Sequence, residues 1–389
     1  MKNRMKVLAC IFAAAITVVG CEGLGGGAEP TPEVVELNLG DNTGTAATEA
    51  TDGTPTEEVV EDEPVPDGMY RSELTNEIIS EDLKDQRPVA IMVDNETYAF
   101  PHIGLNKADV VYEIMNSTQN GRITRLMCLV KDWKNIEQFG SVRSTRPTNF
   151  MLAGDWNAIL CHDGGPVIYI NSFVAKDYTD NLSGGFARYS NGKATEFTEY
   201  VTANDYTNPS TGKSYDGLVK RVKDAGYSET YNSYYSGSSD FKFAKGGNRK
   251  LDDSNDDCTY VKLPMQHTGS ELKYNEETGT YDYYVYGDPH TDPLDGDKIL
   301  SFKNVILQKA DFTQLDDHGY LIYNIIVGEP WDGYYCTNGK CEEIMWAKVA
   351  EEGNTYYSVK DTGDPLEINT GKTYICLVPD DQWNDLVIK

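Results

Sequence analysis

Residues 139–150 read Phe-Gly-Ser-Val-Arg-Ser-Thr-Arg-Pro-Thr-Asn-Phe, which sets Arg143 and Arg146 around Ser144 and Thr145. Two guanidinium forks separated by hydroxyl groups suit an anionic ligand, because each fork offers parallel N–H donors to paired oxygens. Pro147 follows directly, and proline is at home in the first helical turn, where its missing N–H costs nothing. The spacing therefore predicts a helix starting at Arg146–Pro147, with open backbone N–H groups that favour negative charge. A second reading pairs Arg143 and Arg146 with Asp94 and Glu113 inside the fold.

Other polar residues fall at the ends of apolar runs. Asp94 and Asn95 close the run 89–93, Asn116 closes 109–115, and His162 and Asp163 close 158–161. In open α/β sheets ligands bind at the carboxyl ends of strands, although strand ends are also where polar residues meet solvent. His162 reads either as a general base, with Gly164 and Gly165 admitting a substrate to the backbone, or as a structural donor at a Gly-Gly turn. Asp94 with Glu113 has the residue types of a two-carboxylate glycosidase pair. There is no G-x-S-x-G elbow, P-loop, H-E-x-x-H or dinucleotide fingerprint after a strand. His102, His267, His290 and His318 are scattered, so neither a metal nor a cofactor is expected.

The elements that must hold these residues alternate between strand and helix. Strands are expected over 89–93, 109–115, 123–131, 139–143 and 158–161, with helices over 148–156 and 218–225. That pattern predicts an α/β or α+β N-terminal domain with a mixed sheet over residues 70–243. Residues 244–257 read as a connection. From 258 to 389 strand follows strand at 259–263, 271–286, 299–310, 320–327 and 373–378, predicting a mostly antiparallel all-β C-terminal domain. Tyrosine, with 26 copies, suits such half-exposed sheets.

Cys336 and Cys341 flank Thr-Asn-Gly-Lys. Asn-Gly is a strong signal for a two-residue hairpin loop, which makes the cysteines a directly opposed pair close enough for a disulfide. A Cys336–Cys341 bridge is expected. A zinc site needs further ligands at matching spacing, and none is apparent. Cys128 and Cys161 read as buried core thiols.

The N-terminus carries an address. Lys2, Arg4 and Lys6 precede an apolar stretch that ends Val18-Val19-Gly20-Cys21, the pattern of a bacterial lipobox with lipid on Cys21. The stretch is short for a membrane span, which needs about 20 residues. Residues 1–21 are expected to be a lipoprotein signal peptide, and 22–69 an acidic, disordered tether with a reach of about 35–40 Å. The net charge of −28 comprises +3 from residues 1–21, −13 from 22–70 and −18 from the remainder. So acidic a body argues against nucleic acid as a partner.

Several segments together resemble the YerB-like family of bacterial lipoproteins: "RPVAIMVDNETYAFPHIGLNKADVVYEIMN", "GRITRLMCLV", "GSVRSTRP", "CHDGG", and later "NVILQ", "GYYCTNGKCEEIMWAK" and "LEINTGKTYICLVP". The resemblance covers residues 87–379. It implies N- and C-terminal domains of unknown function behind a lipobox, and places Asp94, Asn95, Glu113, Arg143, Ser144, Arg146, Pro147, His162, Gly164 and Gly165 at the family's characteristic positions. Where the family has a Pro-His-Asn segment, this chain reads Glu199-Tyr200-Val201-Thr202-Ala203-Asn204. The expected function is a lipoprotein anchored through Cys21 on the extracytoplasmic face of the cell membrane. Its expected ligand is anionic or glycan-type, from the cell wall. The alternatives are a partner-binding envelope scaffold and an envelope hydrolase using Asp94, Glu113 or His162.

Overall fold

The apolar runs form the middle of one large mixed sheet. The computed structural model describes residues 62–235 and 241–389. The expected signal peptide, Cys21 and the tether as far as residue 61 lie outside the described residues.

Five strands of the large sheet come from the first half of the chain: β1 (Val89–Asp94), β2 (Val110–Met115), β3 (Thr124–Val130), β4 (Ile159–His162) and β5 (Asn181–Ser183). The second half contributes β6 (Tyr260–Lys262), β7 (Glu271–Asn275) and β8 (Thr280–Val285) to a smaller antiparallel sheet. It then adds β9 (Asn304–Ala310), β10 (Trp331–Thr337), β11 (Lys340–Lys348), β12 (Thr355–Val359) and β13 (Thr373–Pro379) to the large one. The spatial order is β11-β10-β9-β13-β2-β3-β1-β4-β5, with β12 and the short strand Asp256–Asp257 also paired to β11. β13 runs parallel to both β9 and β2, so the last long strand of the chain joins its two halves.

Every residue of β1, β2 and β3 is buried, as expected for strands covered on both faces. Side chains alternate between two cores. Ile91, Val93, Val111, Leu126 and Cys128 pack with Trp133, Phe139, Leu218, Val222 and the inner face of the smaller sheet. Ala90, Met92, Tyr112, Met127 and Leu129 pack with Phe150, Leu152, Ile170, Leu321 and Tyr323. Each fully buried residue of this size contributes about 1.5–3 kcal/mol before entropy is charged against it.

Helix α1 (Pro147–Asp155) begins where the arginine segment predicted, with Arg146 as N-cap and Pro147 in the first turn. Asn149 Oδ1 accepts from the Arg146 backbone N–H at 2.8 Å, fixing the entry of the chain. All nine helical residues are buried. Helix α2 (Val167–Val174) was not expected. Its run of β-branched residues has weak helix propensity, and it is held instead by Tyr169 and Ile170 donating to Pro166 O. Helix α3 (Leu218–Asp224) lies within the expected 218–225.

Three strand expectations need correction. The 320–327 strand shortens to Leu321–Tyr323. The 139–143 strand shortens to Phe139–Gly140. The 299–310 strand breaks at Leu300 and Lys303 before β9.

The expected Cys336–Cys341 disulfide is absent, and both thiols are free. The register is as predicted, with Cys336 directly opposite Cys341. A third thiol changes the setting: the Asp256–Asp257 strand pairs beside β11, and Cys258 N–H donates to Gly339 O at 2.7 Å. The hairpin tip thus holds three neighbouring sulfurs where the sequence suggested a pair.

Candidate functional site

The two-residue period of the strands sorts the expected site residues onto opposite faces. Asp94 ends β1 on the same face as Ala90 and Met92, directly opposite Arg125 of β3. Glu113 follows Val111 on the other face, where it is enclosed by Thr124, Thr268, Ser270, Tyr283 and Tyr374. Asn95 joins the Glu113 side, donating to Glu113 Oε1 at 3.3 Å and to Thr124 Oγ1 at 3.0 Å. Asp94 and Glu113 therefore do not face one another as an acid/base pair. Glu113, Asn95 and their partners form a buried hydrogen-bonded knot, with Asn95 and Glu113 both fully buried.

Asp94, Arg143, Ser144, His162, Gly164 and Gly165 are brought together. The Arg143 backbone N–H donates to Met92 O, the Asp163 N–H to Arg143 O, and the Thr145 N–H to Gly164 O, at 3.0–3.1 Å. These bonds lace the 143–146 segment between the carboxyl ends of the parallel strands β1 and β4. Gly164 has φ +71° and Gly165 φ +154°, and a Cβ on Gly165 would sit 3.1 Å from Thr145 O. Glycine is what lets the two loops meet.

Arg143 is the open member. Its Nε lies 2.5 Å from Asp94 Oδ2 and its Nη1 3.6 Å from Glu196, and its side chain is 21 % exposed. Its guanidinium also lies over the Phe197 ring at 5.5 Å. Arg146 turns inward: Nε donates to Asn116 O at 2.9 Å and Nη1 to Thr145 O at 2.8 Å. Tyr320 covers its guanidinium at 4.6 Å. Arg125, which the sequence reading passed over as a strand residue, completes the group by donating to Ser144 O at 2.7 Å and to Asn116 Oδ1 at 3.2 Å.

Three guanidiniums thus surround one segment. Neither Arg125 nor Arg146 has a carboxylate in ion-pair contact among the described residues. Burial, then the neighbouring Arg125, pulls Arg146 down to about 9. Burial pulls Arg125 down to about 10, with Asp94 opposing and Arg143 reinforcing the shift. Positive charge that is buried, crowded and answered mainly by carbonyl dipoles is costly to hold.

His162 does not present a free base. Its Nδ1 is 2.8 Å from Gly164 O and its Nε2 3.4 Å from Asn181 Oδ1, and burial lowers its proton affinity. Beside it lies a group that sequence reasoning missed. Arg188 Nη2 contacts Asp163 at 3.4 Å and Glu199 at 2.6 Å. Burial, followed by Asp163, pushes the Glu199 carboxyl up to about 7. Glu199 stands in the stretch that departs from the family's Pro-His-Asn pattern; nothing in its spacing pointed to Arg188 or Asp163.

A large mixed sheet thus carries the 143–146 arginine segment and a Gly-Gly loop at its strand ends. Residues 74–228 match the family described as "Protein of unknown function (DUF3048) N-terminal domain", and residues 261–375 match its C-terminal domain. The chain belongs to this YerB-like family. It is 28 % identical over 315 residues to a Bacillus subtilis (strain 168) protein named "Putative lipoprotein YerB", covering 80 % of this chain and 86 % of that one. The crystal structure of YerB protein from Bacillus subtilis superposes with a TM-score of 0.63 at 22 % identity, over 82 % of this chain and 99 % of that chain. That likeness establishes a shared fold.

Proposed function

We infer that the protein is a membrane-anchored lipoprotein that holds an anionic, glycan-type ligand of the cell envelope at the Arg143 end of its arginine group. The observation that carries this reading is the gathering of Arg125, Arg143 and Arg146 around the 143–146 segment, with ion pairing at Arg143 alone among the three. An anion beside Arg143 and Ser144 answers that charge, and the two buried guanidiniums strengthen its hold through the low-dielectric interior. Anchoring rests on the Val18-Val19-Gly20-Cys21 pattern and on the relative named as a lipoprotein. The lipid places the domain at the extracytoplasmic face, where wall polymers are within reach of the tether.

The test has two arms. Cys21→Ser should move the protein from the membrane fraction to the soluble fraction; unchanged fractionation would remove the anchor. Arg143→Gln should weaken binding to purified cell-wall fragments by on the order of 10-fold or more, as expected for losing one charged hydrogen-bonding partner. Equal binding by Arg143→Gln and the parent chain would defeat the ligand assignment.

A second reading, an envelope hydrolase, is favoured by one observation only: Glu199, pushed up to about 7, shares Arg188 with the half-exposed Asp163. That sets a carboxyl of raised proton affinity beside a second acidic side chain, the residue types that acid/base hydrolysis uses. Muropeptide profiles unchanged by Glu199→Gln would exclude it.

A further inference from the structure

Three thiols meet at the tip of the β10–β11 hairpin. Asn338 at φ +51° and Gly339 at φ +76° supply the left-handed pair that a tight two-residue turn requires. Cys336 and Cys341 consequently stand opposite each other. The neighbouring Asp256–Asp257 strand delivers Cys258 to the same place, its N–H bonded to Gly339 O. All three side chains are buried, and their sulfurs lie within 4.8 Å of one another.

That spacing is close to what one shared ion imposes. With Zn–S bonds of about 2.3 Å, two sulfurs on a tetrahedral zinc stand about 3.8 Å apart. A disulfide would consume two thiols and leave the third buried against the bond. We propose that Cys258, Cys336 and Cys341 bind one Zn²⁺ through three sulfurs, with the fourth coordination position directed to the cavity that Cys341 lines.

The surroundings favour zinc over other thiophilic ions. Thiolates select Zn²⁺ and Cu⁺ among the common candidates. Three thiolates leave a net charge of −1 with Zn²⁺ and −2 with Cu⁺. Asp256 and Asp257 border the same cavity, so the more negative complex is the more strongly disfavoured. The cavity has a volume of about 550 Å³ and is walled by Tyr334 and Trp383, whose rings stack at 5.5 Å. It gives a water or a nearby carboxylate access to the open position, as in zinc sites with three protein ligands.

The experiment uses the full mature chain in detergent, reduced and stripped of metal, then titrated with Zn²⁺. One zinc per chain should remain after dialysis, with protons released as the thiols deprotonate and an upward shift in Tm. Co²⁺ in place of zinc should give a thiolate-to-metal charge-transfer band. Cys258→Ser should weaken zinc binding by on the order of 100-fold. The parent-chain measurements decide the matter even if that variant fails to fold. Zinc well below one equivalent, no cobalt band, or full binding by a folded Cys258→Ser chain would each overturn the proposal. So would a chain isolated with a Cys336–Cys341 disulfide that, once reduced, takes up no zinc.

Discussion

Removing the Glu113 carboxylate should loosen the seam between the two halves of the chain by a calculable amount. Glu113 stands on β2, in the first half, and receives hydrogen bonds from six groups. Thr124, Asn95, Thr268 and Ser270 donate to Oε1 at 2.8–3.3 Å, while Tyr283 and Tyr374 donate to Oε2 at 2.9 and 2.5 Å. Four of the six donors belong to the second half. In Glu113→Ala several of them can re-pair. Ser270 already bonds Thr268 at 2.8 Å and approaches Tyr283 at 3.3 Å, and Asn95 keeps Thr124 Oγ1. The hydroxyl protons of Tyr374 and Thr124 are left stranded in a dry interior. At about 1–3 kcal/mol for each buried unsatisfied group, the loss is about 2–6 kcal/mol. Glu113→Gln should cost less, because Oε1 keeps its role and the new amide can donate to the two tyrosine oxygens. Urea denaturation, followed by tyrosine fluorescence and far-UV circular dichroism together, measures both variants. The Glu113→Ala transition should move to lower urea while both probes continue to coincide, since the knot spans both halves. A cost below about 1 kcal/mol, far under the expected range, or a Glu113→Gln variant weaker than Glu113→Ala, would refute the reasoning.

Three further expectations follow from other groups. Lys348 and Asp155 form a fully buried ion pair, with Lys348 also donating to Gly353 O; Lys348→Met should cost about 3–5 kcal/mol in chemical denaturation by stranding the carboxylate. Adding Asp155→Asn to that variant should restore part of the loss. Glu199 is raised to about 7 in the folded chain, so the native state binds the extra proton between the unfolded carboxyl value and about 7. Its contribution to stability is therefore present at acid pH and falls as pH rises through that window. His162, His102 and His290 are lowered by burial and act in the opposite sense, since their contributions are lost on acidification. Comparing Glu199→Gln with the parent chain from pH 4.5 to 7 should isolate the carboxyl as a more positive stability–pH slope in the variant, and parallel slopes would contradict it.

How much of this was legible beforehand depended on how local the determinant was. The run at Val89 is apolar up to Asp94, and those at Val110 and Thr124 are mostly apolar around Glu113 and Arg125, so buried strands were readable with boundaries good to a residue or two. Pro147 marked the start of α1 because its constraint is covalent and acts on the nearest residues. The two-faced nature of the site was less accessible. The residue period puts Asp94 and Glu113 on opposite sides of the sheet only once the pairing of β1, β3 and β2 fixes which parity faces which core. Arg188 and Glu199 are opposed across a short antiparallel strand pair and meet Asp163 from the loop after β4, and Tyr320 reaches Arg146 from far along the chain. Such contacts leave no periodic trace. Cys258 escaped for the same reason, its partnership with the hairpin being set by strand order.

The position of β13 carries a consequence for how the protein comes into being. This strand is made long after β2, yet it lies at the centre of the sheet, hydrogen-bonded to β2 on one side and β9 on the other. Until it arrives, β2 presents a bare, mostly apolar edge, the kind of surface on which unfinished chains associate with one another. Contacts of such long sequence separation form slowly, because the intervening loop must be closed first. A chain made from its N-terminus thus cannot close its central sheet until residues 373–379 are available.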